Sequence, residues 1–202
     1  MERKSIDQEK RSPSGAAVMR TDLTDALVRA FFEEWASYGY GGISLERVAA
    51  RAGAGKAAIY RRWPSKLAIA TEAIAKLGMD LTDVSERDSL IEELEGYLFM
   101  MRRALRHRLV RRILPDLYAE AARQGELVST LAGLARARRS AGSAILQRAI
   151  ARGEINANVD IEMALDMIPS ALYWRMVVTG RSLTRDQTKR QAKALAAAIK
   201  IL

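Results

Sequence analysis

The chain of 202 residues lacks cysteine altogether and carries a single histidine, His107. Without cysteine it can form neither a disulfide framework nor a thiolate metal site. One imidazole is too few for a histidine-based zinc site, and no acids and bases are arranged in a recognisable catalytic motif. We therefore expect no metal, no cofactor and no enzymatic activity.

Long apolar runs are missing as well, since no stretch approaches the ~18 residues that a membrane span needs. The N-terminal sequence MERKSIDQEKRSPSG is polar and lacks the apolar core of a signal peptide. These absences predict a cytoplasmic protein without membrane association. What the chain has in excess is positive charge, +9 in total with a pI near 10.1. That balance suits a polyanionic partner, although charge alone would equally suit a membrane surface.

Residues 43–66, ISLERVAARAGAGKAAIYRRWPSK, have the pattern of two short helices joined by a tight glycine turn. Ser44 is expected to cap the first helix through its hydroxyl. Gly53 is expected to end that helix, because glycine adopts the left-handed conformation at low cost. Gly55 can then serve as the N-cap of a second helix over residues 56–62. This order of elements is a helix-turn-helix motif.

The second helix of the motif separates an apolar side from a cationic side. Ala58 and Ile59 are expected to face inward, whereas four residues remain for the outside: Lys56, Tyr60, Arg61 and Arg62. Basic residues strongly outnumber acids across the motif. A short cationic helix that begins with alanines can approach the floor of a DNA major groove, which is wide enough for one helix.

The segment GAGKAAIYRRWPSK resembles the signature of the tetracycline-repressor (TetR) family of one-component regulators. In that family the turn usually reads G-V-S, followed by K-x-x-[LI]-Y-x-[HY]-F-x-[ST/N]-K. The resemblance runs from about Leu23 to Leu77, and the arrangement of the later helices agrees with it. Gly55 replaces the usual capping Ser or Thr, and Arg62 replaces a common His. Both are compatible with DNA binding, since glycine is an acceptable cap and arginine is the better phosphate ligand.

The resemblance implies which residues contact the double-stranded DNA of an operator. The positions that match phosphate-positioning residues are Ser44, Tyr60, Arg62 and Lys66. The positions where base-edge contacts are usual are Lys56, Ala57 and Arg61. Arg61 is the best candidate for a guanine contact.

Helical periodicity continues along the rest of the chain, so we expect an all-α fold. The predicted domains are a disordered basic arm (1–17), the helix-turn-helix DNA-binding domain (18–81) and an effector-binding and dimerisation domain (82–202). The predicted helices outside the motif are residues 22–38 with Thr21 as cap, 65–81, 90–113, 116–124, 126–152, 160–179 with Asp160 as cap, and 184–202 with Thr184 as cap. Pro115 is expected to end the helix that begins at residue 90, and Pro169 to kink its helix or leave a carbonyl unpaired.

Two basic segments allow more than one interpretation. The N-terminal arm, with Lys4, Lys10, Arg11 and Arg20, is either a floppy tail or an arm that contacts phosphate or the minor groove. The arginine run of residues 102–112 is either a solvated face or a second nucleic-acid contact. A third alternative is that one or two of these arginines turn inward to hold an acidic ligand.

In the family, two C-terminal helices pair with the same helices of a second subunit. The resemblance therefore implies a homodimer through residues 160–179 and 184–202. Small residues between positions 192 and 198 permit close backbone approach. A twofold dimer requires a near-palindromic operator, with half-sites about one helical turn (~34–36 Å) or a multiple apart.

Family members also bind a small effector among these helices, in a cavity rich in apolar and aromatic groups. The candidates for the cavity wall are Tyr97, Phe99, Met101, Leu105, Leu117, Tyr118, Met163, Met167, Tyr173 and Trp174. Each of them could equally be ordinary core. Asp166 and Arg175 are charges on an otherwise apolar helix and are expected either to contact a polar effector group or to form an internal or intersubunit ion pair.

These inferences combine into a dimeric, ligand-responsive DNA-binding repressor. An architectural or constitutive DNA-binding protein without an effector is the alternative. This alternative explains the helix-turn-helix motif equally well, but it does not explain why the chain has a second helical domain with an aromatic-rich interior.

Overall fold

The structure, a computed structural model, describes residues 15–80, 85–123 and 125–202, with only the backbone of residues 15–21 and 77–80. These described residues form nine α-helices and no β-strand, which confirms the all-α fold. The helices are α1 (Gly15–Tyr38), α2 (Leu45–Arg51), α3 (Lys56–Tyr60), α4 (Lys66–Asp80), α5 (Leu90–Arg106), α6 (Arg108–Ala122), α7 (Val128–Ala151), α8 (Ile161–Tyr173) and α9 (Arg185–Ile199). A π-helical turn, Trp174–Val178, follows α8 directly.

Helix α1 supports the two short helices of the motif. Leu27, Phe31 and Trp35 recur at helical spacing and are buried. The rings of Phe31 and Trp35 meet edge-on with centroids 5.8 Å apart, a favourable aromatic arrangement. Because helices as short as α2 and α3 are not stable alone, their orientation depends on this packing.

Helix α5 lies at the centre of the C-terminal half, where it packs against α6, α7, α8 and α9. Its apolar face, which includes Leu94, Leu98 and Leu105, is buried. Helix α4 packs on α7, and α1 packs on α6. The buried apolar side chains therefore form one continuous core that joins the two halves.

The start of α1 differs from the prediction. The helix begins at Gly15, so that Thr21 lies inside it and does not cap a helix that starts at Asp22. Residues 15–17, predicted as part of the disordered arm, are helical. Alanines at positions 16 and 17 favour this extension of the helix. The remaining residues of the predicted arm lie outside the described part of the chain.

The prediction of one helix over residues 90–113 that ends at Pro115 is wrong, as is that of a separate helix over 116–124. The chain leaves helical geometry at His107 (φ −69°, ψ 127°), and α6 then continues through Pro115. The Leu109 N–H donates a hydrogen bond to His107 Nδ1 at 3.4 Å, so His107 caps α6. Helix α6 continues past the proline because it buries apolar side chains on both sides of it, which offsets the lost backbone hydrogen bond.

The later helix starts agree with the prediction. Asp160 and Thr184 cap α8 and α9 by accepting hydrogen bonds from the backbone N–H groups of Met163 and Gln187. The Gln187 side chain accepts a bond from the Thr184 N–H in return, which completes a capping box.

Pro169 lies inside α8, and the departure from regular helix comes later, in the π-helical turn. Residues 85–87, part of the predicted break between domains, are not helical. The rest of that break up to residue 84 lies outside the described residues, so the domain boundary stays a prediction.

Candidate DNA-binding surface and effector cavity

Local contacts hold the motif helices in the predicted arrangement. The Arg47 N–H donates a hydrogen bond to the Ser44 hydroxyl at 3.3 Å, which caps α2. Gly53 lies in the turn with φ +67°, a conformation that favours glycine. Gly55 is the extended N-cap of α3. The three positions thus have the local structure that the sequence predicts for them.

Helix α3 presents a cationic side to solvent, while its predicted inner residues are buried. Lys56, Ala57 and Arg61 are exposed. Tyr60 is 40% exposed, and Lys56 Nζ lies 5.6 Å from the centroid of its ring. Arg61 has no hydrogen-bond or ion-pair partner among the described residues. Its guanidinium is therefore free to bind an acceptor outside the protein.

Lys56, by contrast, is paired within the motif. Its Nζ lies 2.6 Å from Glu46 Oε1, and both side chains are more than half exposed. The hydrogen bond from Lys56, assisted by those from a backbone N–H and Ser44, lowers the pKa of Glu46 to about 2. Because the pair is fully charged at neutral pH, any DNA group that binds Lys56 must compete with Glu46.

Two residues that the resemblance assigns to phosphate, Arg62 and Lys66, bind acceptors inside the protein. Arg62 Nε donates to the Thr24 hydroxyl at 3.0 Å, and its Nη1 donates to the Ala58 carbonyl at 3.0 Å. Lys66 Nζ donates to the Tyr40 carbonyl at 3.3 Å and lies 4.3 Å from the centroid of that ring. Both side chains are half-buried. They therefore fix α3 and α4 against neighbouring elements in addition to carrying charge.

A buried acid in α1 also positions the motif, and pattern reasoning did not single it out. Glu34 is fully buried, and Arg47 Nε lies 2.5 Å from its carboxylate. Arg51 Nη2 lies 3.5 Å from the other carboxylate oxygen. Two arginines of α2 are thus tied to α1, which fixes the orientation of the motif. The signal available in the sequence was a glutamate between the apolar positions of α1.

A cavity of about 460 Å³ lies between the C-terminal helices and the DNA-binding half. Its volume is in the range of small-molecule sites. Most of its wall comes from α5, α6, α7 and α8, but Phe32 of α1 and Ile74 of α4 also line it. A molecule in this cavity would therefore contact both halves of the chain.

The cavity brings together half of the predicted wall residues. Those that line it are Tyr97, Met101, Leu105, Leu117 and Tyr173. Tyr97, Met101 and Leu105 recur every four residues and so share one face of α5. Phe99 lies off that face, and Arg185 packs over its ring at 5.2 Å.

The other predicted wall residues lie outside the cavity. Tyr118 is behind the wall, with its ring edge-on to Tyr173 at a centroid distance of 5.7 Å. Met167 packs against the core. Met163 and Trp174 are 50% and 62% exposed. Sequence periodicity identifies apolar helix faces, but which of two faces meets the cavity depends on the packing of the helices.

The polar residues of the wall were missed at the sequence level. Arg103, His107 and Arg138 line the cavity, whereas no Asp or Glu among the described residues does. Arg103 belongs to the arginine run and, although exposed, also lines the cavity, so the alternative that some of these arginines hold an acidic ligand stays a prediction. Arg106, by comparison, is exposed and does not line the cavity.

A hydrogen-bonded contact links the cavity wall to the motif. Asp116 lies on α6, next to Leu117 in the cavity wall. Its Oδ2 accepts a bond from Trp35 Nε1 at 2.7 Å and another from the Tyr40 N–H at 2.8 Å. The Tyr40 hydroxyl donates to Glu126 Oε2 at 2.9 Å. The corner between α1 and α2 is thus fastened to the C-terminal half.

Exposed apolar side chains lie on the outer face of α8 and the π-helical turn. Met163, Trp174 and Val178 are each at least half exposed. Arg175 Nε and Gln191 Nε2 are buried nearby, and neither has an acceptor among the described residues. Large apolar side chains exposed to this degree are typical of an interaction surface.

Asp166 has an internal partner, as one of the two alternatives for it predicts. Its Oδ1 lies 2.6 Å from Arg139 Nη1 of α7, and Arg139 also pairs with Glu162. Within the described ranges, no helix is long and apolar enough to cross a membrane, and no cluster of His, Asp and Glu could hold a metal ion.

Comparison with known proteins matches both halves of the chain. Residues 27–76 match the family model of bacterial regulatory proteins of the tetR family, and residues 84–195 match that of the tetracyclin repressor-like C-terminal domain. A DNA-binding transcriptional repressor TetR from Mycobacteroides abscessus is 31% identical over 153 residues, which cover 70% of this chain and 75% of that protein. The HTH-type transcriptional regulator YdeS from Bacillus subtilis is 26% identical over 160 residues, or 77% of this chain and 78% of YdeS.

Solved structures share the fold. Salmonella enterica GusR superposes with a TM-score of 0.70 at 20% identity, over 88% of this chain and 93% of GusR. FadR from Bacillus subtilis, solved in complex with stearoyl-CoA, superposes with a TM-score of 0.69 at 17% identity, over 87% of this chain and 97% of FadR. These likenesses show the fold. The family matches to both halves and the 31% identity to the M. abscessus repressor show that the chain belongs to the TetR family of transcriptional regulators.

Proposed function

We propose that this regulator is a homodimeric repressor, which leaves a near-palindromic operator when a small apolar or aromatic effector enters the cavity. The observation that carries the proposal is the composition of the cavity wall. Phe32 of α1 and Ile74 of α4 line it together with residues of the C-terminal helices. A ligand that displaces these side chains would displace the helices that hold the motif. The name of the M. abscessus relative supports repression as the outcome.

In the proposed complex each subunit inserts α3 into a major groove. The proposed base-edge contacts are Lys56, Ala57 and Arg61. The proposed phosphate contacts are Ser44, Tyr60, Arg62 and Lys66. Arg61 is exposed and unpaired among the described residues, so it can form a bidentate contact with guanine at no internal cost. Arg62 and Lys66 already donate within the protein and should contribute less.

The proposed dimer forms through α8, the π-helical turn and α9. The exposed Met163, Trp174 and Val178 supply an apolar surface for it. The buried donors of Arg175 and Gln191 would find acceptors in the second subunit. Twofold symmetry then places the two α3 helices in successive or more widely spaced major grooves of the operator.

Asp116 is the proposed link between effector and motif. It lies beside the cavity-lining Leu117 and holds Trp35 and Tyr40 of the DNA-binding half. An effector that fits the cavity only when α6 is shifted would favour a dimer in which the spacing of the two α3 helices no longer matches that of the operator half-sites. FadR was solved in complex with stearoyl-CoA, so a protein of this fold can bind a ligand. At 17% identity, the likeness to FadR concerns the fold and not the identity of the ligand.

Selection of bound duplexes from a random DNA pool tests the first half of the proposal. We expect a near-palindromic site. Arg61→Ala should relax preference at one base pair per half-site, by roughly 1–3 kcal/mol. Arg136→Ala removes the same charge from an exposed position of α7 in the C-terminal half and is the matched control. A monomeric protein without sequence preference, or equal losses on specific and random DNA for Arg61→Ala, would contradict the proposal.

Release of the selected operator by compounds that stabilise the protein thermally tests the second half. Asp116→Asn keeps the shape of the side chain but weakens its acceptor. We expect this variant to bind operator and ligand and to lose most of the effect of one on the other. If no stabilising compound changes operator affinity at saturation, the architectural alternative is favoured and the effector proposal fails.

A further inference from the structure

The wall of the cavity is apolar except for groups that donate hydrogen bonds or carry positive charge. Arg103, His107 and Arg138 line it beside the hydroxyl-bearing Tyr97 and Tyr173, and the described lining residues include no carboxylate. Such a lining attracts an acceptor or an anion and, among the described residues, offers no negative charge to a cation.

Arg138 is the half-buried member of the basic set and has no hydrogen-bond or ion-pair partner within the described part of the chain. Its neighbours on α7 behave differently. Arg139 pairs with Glu162 and Asp166, and Arg148 pairs with Glu93. No acid among the described residues pairs with Arg138 at the cavity wall, so its guanidinium is available to an anion that enters the cavity.

Tyr97 and Tyr173 line the same cavity as Arg138. Burial raises the pKa of both tyrosines, and the charge of Arg138 acts on both in the opposite direction. Neither hydroxyl has a hydrogen-bond partner among the residues described. Tyr118 packs edge-on against the Tyr173 ring and helps to fix it. One cavity is therefore lined by a cation and two hydroxyl-bearing side chains on which the charge of that cation acts.

We propose that the effector is an apolar organic acid whose carboxylate is bound by Arg138 and by the hydroxyl groups of Tyr97 and Tyr173. Its aliphatic or aromatic body occupies the part of the cavity lined by Met100, Leu105 and Leu117. This inference rests on the proposed function in taking the cavity as the effector site. A carboxylate accepts charge-assisted hydrogen bonds from all three groups, whereas a neutral ligand leaves Arg138 without a counterion.

The other two basic residues lie where the acid would enter. Arg103 and His107 are exposed, four positions apart at the end of α5, and both line the cavity. Positive charge at the opening raises the local concentration of anions. The cavity volume of about 460 Å³ suits the apolar body of a small organic acid.

Calorimetric titration of the full-length protein without DNA tests the inference. The probes are two pairs of similar shape, decanoic acid with decan-1-ol and 1-naphthaleneacetic acid with 1-naphthaleneacetamide. We expect at least one acid to bind roughly tenfold or more tightly than its neutral counterpart at neutral pH. If neither acid binds better than its counterpart, including the case in which nothing binds, the inference is overturned.

Variants of the proposed carboxylate-binding residues test which side chains bind the acid. Arg138→Met should abolish the preference for the acid while retaining affinity for the neutral probe, and Arg138→Lys should restore part of it. Tyr97→Phe and Tyr173→Phe should each reduce the preference severalfold. Arg136→Met, an exposed position of α7 outside the cavity, is the matched control and should leave it unchanged. Circular dichroism confirms folding of each variant. An undiminished preference in folded Arg138→Met would overturn the assignment.

The two proposals fail separately. An acid that binds through Arg138 without changing operator affinity supports the anion site and contradicts its role as effector site. A neutral compound that releases operator, in a protein that binds no acid preferentially, supports the repressor and contradicts the anion site.

Discussion

Each half of the molecule contains a fully buried glutamate that binds two arginines, and the two clusters differ in how much water reaches the arginines. In the C-terminal half, Glu93 of α5 binds Arg148 and Arg152, whose side chains are 26% and 25% exposed. In the DNA-binding half, Glu34 binds Arg47 and Arg51, which are 51% and 42% exposed. The first cluster ties α5 to α7 in the interior, and the second ties α2 to α1 at the surface.

The difference indicates what each cluster contributes. Arginines kept from water depend on their acid, so the Glu93 cluster stabilises the packing of the C-terminal helices. Arginine side chains that are about half exposed stay hydrated when their carboxylate is removed, so the loss of stability is smaller. The Glu34 cluster therefore chiefly fixes the orientation of α2 against α1. Exposure therefore separates charges that hold the fold from charges that are available to a partner.

Glu93→Gln should have the largest effect on stability. It leaves Arg148 without its carboxylate and removes one of the two carboxylates that bind Arg152, which keeps Glu154, at a cost of about 3 kcal/mol in the free energy of unfolding. Urea denaturation followed by circular dichroism measures the loss. Glu92→Gln alters an exposed neighbour on α5 and is the control. A loss no greater than that of the control would show that the buried cluster does not stabilise the fold.

Glu34→Gln should cost less, about 1–2 kcal/mol, because Arg47 and Arg51 can be hydrated when the carboxylate is lost. Its effect on operator affinity should be disproportionately large, since α2 is no longer fixed against α1. Denaturation and operator titration on the same preparation make the comparison. Should Glu34→Gln destabilise the protein as much as Glu93→Gln without altering operator affinity, the contrast between the clusters is wrong.

Arg61 and Arg62 provide the same contrast within one turn of chain. Arg62→Ala removes two hydrogen bonds to the protein, to Thr24 and Ala58, and should lower stability by about 1 kcal/mol. Arg61→Ala should change stability by less than about 0.5 kcal/mol, because its side chain is exposed. Thermal denaturation of both variants tests this. Equal stability of the two would show that the Arg62 contacts contribute nothing.

The smallest effect is expected at the pair of Lys56 and Glu46, whose side chains are both more than half exposed. Glu46→Gln removes the partner of Lys56 and should strengthen binding to any duplex by a few-fold, with a salt slope steeper by about one unit. The pKa of Glu46 is lowered to about 2, so the wild-type pair stays charged above that pH and the advantage of the variant should be the same at pH 6 and pH 8. Unchanged or weaker binding would show that Lys56 does not reach the DNA.

Much of the motif could be predicted because its signals act between neighbours in the chain. Ser44, Gly53 and Gly55 have the predicted roles, and so do the caps Asp160 and Thr184. The break at His107 was missed, because the arginine run around it has no glycine or proline to mark an end.

The cavity could be predicted only in part, because its wall combines helices that are distant in sequence. Tyr97 and Tyr173 were identified, whereas Phe32, Ile74 and Arg138 were not. No feature of the neighbouring sequence distinguishes Arg138, which lines the cavity, from Arg139, which pairs with Glu162 and Asp166 of α8.

The sequence by itself determined that the chain forms helices, where the motif turns, and that this motif is cationic, because capping, glycine conformation and apolar spacing act over a few residues. Only the tertiary structure decided which charged side chains pair inside the protein and which remain available to a partner. Arg148 and Glu93 are 55 positions apart, and Trp35 and Asp116 are 81 apart. Helix packing brings such partners together, so the same side chain can hold the fold at one position and stay available for a ligand at the next.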